Sequence, residues 1–115
     1  MSVTIWHNPR CSKSRSTMDL LLDKGITPKI LLYLEMPPSA DELDQVLTML
    51  GKSPRDIMRT NEAVFKELGL ENPKHTRDDL IEAMISHPIL IERPIVVSGN
   101  KAAIGRPPES VLGIL

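Results

Sequence analysis

Hydrophobic and polar positions along this chain change their period from segment to segment, and the changes predict its elements. Val3 to Trp6 is a short, largely β-branched run that stops at Asn8-Pro9, which predicts an opening strand followed by a turn. From Ser12 the period lengthens. Ser14, Thr17, Met18, Leu21 and Leu22 fall at i, i+3, i+4, i+7 and i+8 on one helical face, and Gly25 stands where a helix-ending glycine belongs. Lys29 to Leu34 returns to a strand-like apolar run, giving a β-α-β start.

Glu35-Met36-Pro37-Pro38 breaks the pattern, and Ser39 with Glu42 then forms a capping box ahead of Leu43, Val46, Leu47 and Leu50, closed by Gly51. Ser53-Pro54 opens a short helix, Asn61 caps another through Leu68, and Thr76 with Asp79 caps a fourth carrying Leu80, Ile81, Met84 and Ile85. Residues 39–86 therefore read as a helical block. After His87-Pro88, Ile95-Val96-Val97 and Ala102-Ala103-Ile104 flank Ser98-Gly99-Asn100-Lys101 as a hairpin. A last helix follows Gly105-Arg106-Pro107-Pro108, with Val111, Leu112 and Leu115 as its apolar contacts. The order is β-α-β, helical insert, β-β-α, without repeats, low-complexity tracts or a linker. One α/β domain over 1–115 is expected.

Composition narrows the function. At 115 residues with 41% apolar and 25% charged positions the chain is ordinary for a globular protein, so disorder is excluded. A net charge of -1 and 3% aromatic residues argue against a nucleic-acid footprint or a base-stacking platform. No apolar run approaches the roughly 20 residues that cross a bilayer, and the opening VTIW is not a secretory signal, so neither membrane nor export is expected. The one cysteine, Cys11, excludes an internal disulfide and a thiolate zinc cluster, and a reducing, cytoplasmic setting fits it best. If Cys11 is redox-active, its resolving thiol must come from another molecule.

The chemistry concentrates in His7-Asn8-Pro9-Arg10-Cys11-Ser12-Lys13-Ser14-Arg15. Cys11 falls between a strand and the first turn of a helix, where unpaired N–H groups and the positive end of the helix dipole favour a thiolate and an anion together. A lone cysteine is commonly a buried, inert residue, but Pro, Arg, Ser and Lys neighbours are poor company for a core. Arg10, Lys13 and Arg15 add positive charge, and His7 would add more if protonated. Three cations at a helix N-terminus oppose the dipole and invite a functional explanation.

His7-Asn8-Pro9-x-Cys11-x-x-Ser14-Arg15, with Glu92-Arg93-Pro94-Ile95-Val96 and Ile104-Gly105-Arg106-Pro107-Pro108-Glu109 far downstream, resembles the glutaredoxin-dependent arsenate reductases of the ArsC family, as a short member. The likeness spans nearly the whole chain. It implies a thioredoxin-like fold with a helical insertion between its halves and a cis Arg93-Pro94 bond. It makes Cys11 the nucleophile that attacks arsenate. His7 and Ser14 match positions that tune the thiolate, Asn8 and Arg15 match the rest of the loop, and Arg59, Arg93 and Arg106 match three arginines that hold the oxyanion. Planar guanidinium forks suit a tetrahedral oxyanion better than lysine does. The implied partners are arsenate or a similar oxyanion, glutathione as co-substrate and glutaredoxin, with no bound cofactor. Cys11-Ser12-Lys13-Ser14 is a monothiol C-x-x-S, so the reductant must be external.

Rival readings are a Spx-type regulator of RNA polymerase, which typically carries C-x-x-C where Ser14 stands here, and a monothiol glutaredoxin, which needs no arginine cage. A low-molecular-weight phosphatase-like loop is rejected, because C-x-x-x-x-x-R would require Arg where Thr17 stands. His75 and His87 lack metal-ligand spacing, so no metal is expected. Asp41-Glu42 and Asp78-Asp79 complement helix dipoles in first turns.

Overall fold

In a computed structural model of the chain, residues 2–115 are described. They divide into two units, one formed by the residues up to 36 with 93–115, the other by 37–92.

The first unit is a four-stranded mixed sheet in the order β2-β1-β3-β4, made of β1 (Val3–Trp6), β2 (Lys29–Leu31), β3 (Ile95–Ser98) and β4 (Lys101–Ile104). β1 runs parallel to β2 and antiparallel to β3, with Ile5 opposite Ile30 and Val96. The parallel pair is joined by α1 (Ser12–Asp23) as the required crossover. The β3–β4 hairpin turns through Gly99 and Asn100; Gly99 takes a φ of 61°, which a two-residue hairpin loop accepts from glycine at its first position. Val3, Ile5, Leu21, Val96 and Val111 form the core of this unit, with Met18, Leu20, Ile26, Ala103 and Ile114 packed around them. Full burial of side chains such as Ile5 and Leu21 is worth about 1.5–3 kcal/mol each.

The second unit holds α2 (Ala40–Leu50), α3 (Ala63–Glu67) and α4 (Arg77–Ser86), with 3-10 turns at Pro54–Ile57 and Pro88–Leu90. The boxes at Ser39/Glu42 and Thr76/Asp79 form as the sequence predicts. α4 packs on α2 and on both 3-10 turns, where Leu43, Leu47, Ile57, Leu80, Met84 and Leu90 are buried. Arg77 Nε donates to Asp44 Oδ1 at 2.8 Å, and Arg55 donates to the carbonyls of Leu70 and Asn72.

Four local expectations change. β2 ends at Leu31 rather than Leu34, because the N–H groups of Glu35 and Met36 turn back onto the Leu32 carbonyl. Leu22, assigned to the helix's inner face, is exposed. The cap of α3 is Glu62, one residue after Asn61, and it makes no side-chain capping bond. The last helix is a 3-10 segment, Pro108–Ile114, whose three-residue turn buries Val111 and leaves Leu112 and Leu115 exposed. The architecture is mixed α/β and thioredoxin-like: a β-α-β half and a β-β-helical half, separated in sequence by the 37–92 unit.

Candidate active site

Strand direction brings the chemistry together. Trp6, the last residue of β1, sits opposite Leu31 at the end of β2 and Ile95 at the start of β3, and Ile95 sits opposite Ile104 at the end of β4. The chain leaving β1, the chain leaving β2, the entry to β3 and the exit from β4 therefore share one end of the sheet. Those four segments carry His7 to Cys11, Leu32 to Glu35, Arg93-Pro94 and Gly105-Arg106. The Arg93-Pro94 bond is cis, as the family likeness implies, and Arg106-Pro107 is cis as well, which the sequence reading did not anticipate.

Cys11 is the N-cap of α1, half-buried, with extended backbone at φ -93° and ψ 124°. No acidic residue occupies the first turn of α1, so its N–H groups and positive dipole end are left to the thiol. Burial pushes the Cys11 thiol up. The backbone N–H of Ser14, the hydrogen bond and charge of Arg93, and the N–H of Lys13 outweigh it, and the net pKa is lowered. Arg106 reaches the same sulfur, with its Nη2 3.7 Å from Sγ, while its Nε donates to the Arg93 carbonyl at 2.7 Å. That bond ties the two arginine positions to each other.

The loop is held by its own polar groups. The Cys11 N–H donates to the Asn8 carbonyl, the Arg10 N–H donates to Asn8 Oδ1 at 3.0 Å, and the Arg15 guanidinium donates to the Pro9 carbonyl at 2.9 Å. Asn8 and Arg15 thus brace the loop. Buried Ser14 accepts the Asn8 N–H at Oγ and lies 2.6 Å from His7 Nδ1. Burial, then the charge of Arg15, lower the His7 pKa, so the ring is neutral at pH 7 and, with its proton at Nε2, accepts a hydrogen bond from the Ser14 hydroxyl at Nδ1. His7 therefore does not supply the extra positive charge considered from sequence.

Arg59 lies in the other unit. Its guanidinium meets Glu62 at 3.2 Å and Glu92 at 3.5 Å, and its N–H bonds the Leu90 carbonyl. Among the described residues no group of three or more His, Cys, Asp and Glu side chains gathers as a metal site, and no helix is long and apolar enough to cross a membrane.

Sequence reasoning named two further positions without giving them a part in the site. Thr17 is fully buried with Oγ1 donating to the Lys13 carbonyl, one turn after Ser14 on the inner face. Gly105 allows a close approach: a Cβ there would stand 2.5 Å from Thr17 Oγ1 and 2.8 Å from Pro94 Cγ. The signal was present, since two small polar residues three apart on a buried face imply a close neighbour.

A family model, "ArsC family", matches residues 6–114. The chain belongs to the ArsC family. Among its relatives, the uncharacterized YfgD of Escherichia coli (strain K12) is 51% identical over 114 residues, covering 98% of this chain and 96% of that protein. An arsenate reductase of Haemophilus influenzae is 51% identical, with both chains covered in full. A solved arsenate reductase from Vibrio cholerae superposes with a TM-score of 0.97 at 51% identity, covering 100% of this chain and 98% of that one.

Proposed function

We propose that this ArsC-family chain reduces arsenate to arsenite, with Cys11 as nucleophile and glutathione and glutaredoxin as external reductants. One observation carries the reading. The chain's only cysteine caps α1 with a lowered thiol pKa and has Arg93 and Arg106 at its sulfur. Relatives named arsenate reductase, among them the Haemophilus influenzae protein, support the choice of oxyanion.

In the first step the Cys11 thiolate attacks arsenic. An S–As bond forms, and one arsenate oxygen leaves as water after protonation. The guanidinium groups of Arg93 and Arg106 take up the charge that develops on the remaining oxygens. A glutathione thiol then attacks the Cys11 sulfur. A disulfide forms, the S–As electron pair stays on arsenic, which falls from +5 to +3, and the thiol proton passes to the departing arsenite. A glutaredoxin thiolate takes the glutathione moiety onto its own cysteine and frees Cys11. No second cysteine of this chain is available for these transfers, so each needs a partner thiol. His7 and Ser14 act as positioning residues that fix the loop around Cys11. Arg59 is assigned a third anion contact by the family pattern, and Arg59→Ala is expected to raise KM for arsenate.

The test is NADPH consumption coupled through glutathione reductase, with glutathione, glutaredoxin and arsenate present. Wild type turns over in an arsenate-dependent way, and Cys11→Ser does not. Arg93→Ala loses roughly 10²–10³ in kcat, as removal of an oxyanion donor does elsewhere. Arsenate-independent NADPH consumption, or full activity in Cys11→Ser, would overturn the proposal.

A further inference from the structure

The end of the sheet has two flanks around Cys11. Arg93 and Arg106 come from the β3–β4 side. On the β2 side a cleft of about 320 Å³ opens, with His7 to Arg10 of the nucleophile loop as one wall and Leu32, Leu34 and Glu35 of the turn after β2 as the other. The volume is at the lower end of the roughly 300–1,000 Å³ typical of small-molecule sites. Leu32 and Leu34 are exposed, an odd disposition for two leucines beside a polar loop. Arg10 and Glu35, both exposed, give the cleft one cation and one anion. No step so far derived at Cys11 uses the side chains of Arg10, Leu32, Leu34 or Glu35.

We propose that this cleft seats the thiol co-substrate, and that it is shaped for a γ-glutamyl tripeptide of the glutathione type. The assignment rests on the reading that Cys11 is served by an external thiol. Such a tripeptide carries an ammonium, two carboxylates and a short apolar thiol arm. Glu35 complements the ammonium, Arg10 a carboxylate, and Leu32 with Leu34 flank the thiol arm. Arg10 immediately precedes Cys11 in the chain, so the cleft adjoins the nucleophile loop on its β2 side, while Arg93 and Arg106 come from the β3–β4 side. A site on the β2 side leaves Arg93 and Arg106 to hold arsenic in the second step, in which the incoming thiol must reach the Cys11 sulfur.

Disulfide exchange tests the cleft without arsenate. The Cys11 thiolate attacks oxidised glutathione, forming a Cys11–glutathione disulfide and releasing one glutathione thiolate, and intact mass gives the rate. Glu35→Lys should slow this exchange about fivefold or more, the scale of one lost charge pair plus a repulsion. It should leave exchange with the uncharged disulfide of 2-mercaptoethanol unchanged. Leu34→Ser should show the same selectivity more weakly. Equal slowing with both disulfides, which marks an effect on the thiol itself, would overturn the assignment. So would an unchanged rate with oxidised glutathione in both variants. If wild type fails to reduce arsenate, the arsenate reading falls, whereas the cleft is decided by the ratio of the two exchange rates alone.

Discussion

At Cys11 burial and positive surroundings oppose each other, and the surroundings win. Because the N–H groups of Ser14 and Lys13 and the charge of Arg93 favour the thiolate, the sulfur is already a nucleophile below the ordinary thiol range. The rate of Cys11 alkylation by iodoacetamide should therefore rise with pH along a curve displaced to low pH. Arg93→Ala should move that curve toward higher pH, and a curve unmoved by the change would remove Arg93 from the thiolate's support. His7 titrates in the opposite sense for stability. Its folded pKa lies below the ordinary 6.5, so the unfolded chain binds the extra proton, and stability drops as pH falls through 6.5 toward the folded value. Urea midpoints measured between pH 7.5 and 5.5 should decline, and should decline less in His7→Gln. Arg10, counted from sequence with Lys13 and Arg15 as local positive charge, contributes its backbone N–H to Asn8 and its side chain to a different wall.

Among the elements, those announced by side-chain chemistry were legible and those set by backbone closure were not. Ser39 with Glu42 and Thr76 with Asp79 mark their helices because each pair satisfies two orphan N–H groups at once. Thr76→Ala should cost about 1 kcal/mol, measured by chemical denaturation. β2 was over-read because Leu32 and Leu34 look like strand interior, whereas a turn onto the Leu32 carbonyl ends the pairing at Leu31. Apolar residues that are exposed for another purpose defeat a reading by burial. Gly105 lies in the Gly-Arg-Pro-Pro stretch and is needed for packing, since its N–H bonds the Pro94 carbonyl and its Cα faces Thr17. Gly105→Ala should destabilise by about 1–3 kcal/mol through overpacking, and should depress activity by displacing Pro94 and its neighbour Arg93. A Gly105→Ala variant with unchanged stability would show that the contact is slack.

For the whole molecule, strand order matters more than any one motif. His7, Cys11, Ser14, Arg93 and Arg106 are up to 99 positions apart in sequence, since 106 less 7 is 99. They meet because β1 is antiparallel to β3, which returns residue 93 to the end of the sheet that residue 7 leaves. The residue types were legible from the His7–Arg15 loop and the two Arg-Pro dipeptides. Their convergence was implied only through the family likeness, because periodicity carries no information about which strands pair. The cleft beside the loop had no sequence signal, because residues 7–10 and 32–35 line one cleft only in the folded chain. The expectation of one domain over 1–115 leads to a single cooperative unfolding transition by circular dichroism and fluorescence. Two separated transitions would instead mark 1–36 with 93–115, and 37–92, as independent folding units.

A single turnover puts the proposed chemistry to the sharpest trial. Stoichiometric protein, arsenate and glutathione, without glutaredoxin, should yield one arsenite per chain by arsenic speciation and one Cys11–glutathione disulfide by intact mass. Cys11→Ser should yield neither. Wild-type protein with a reactive Cys11 that forms no arsenite under these conditions would contradict arsenate reduction by this chain.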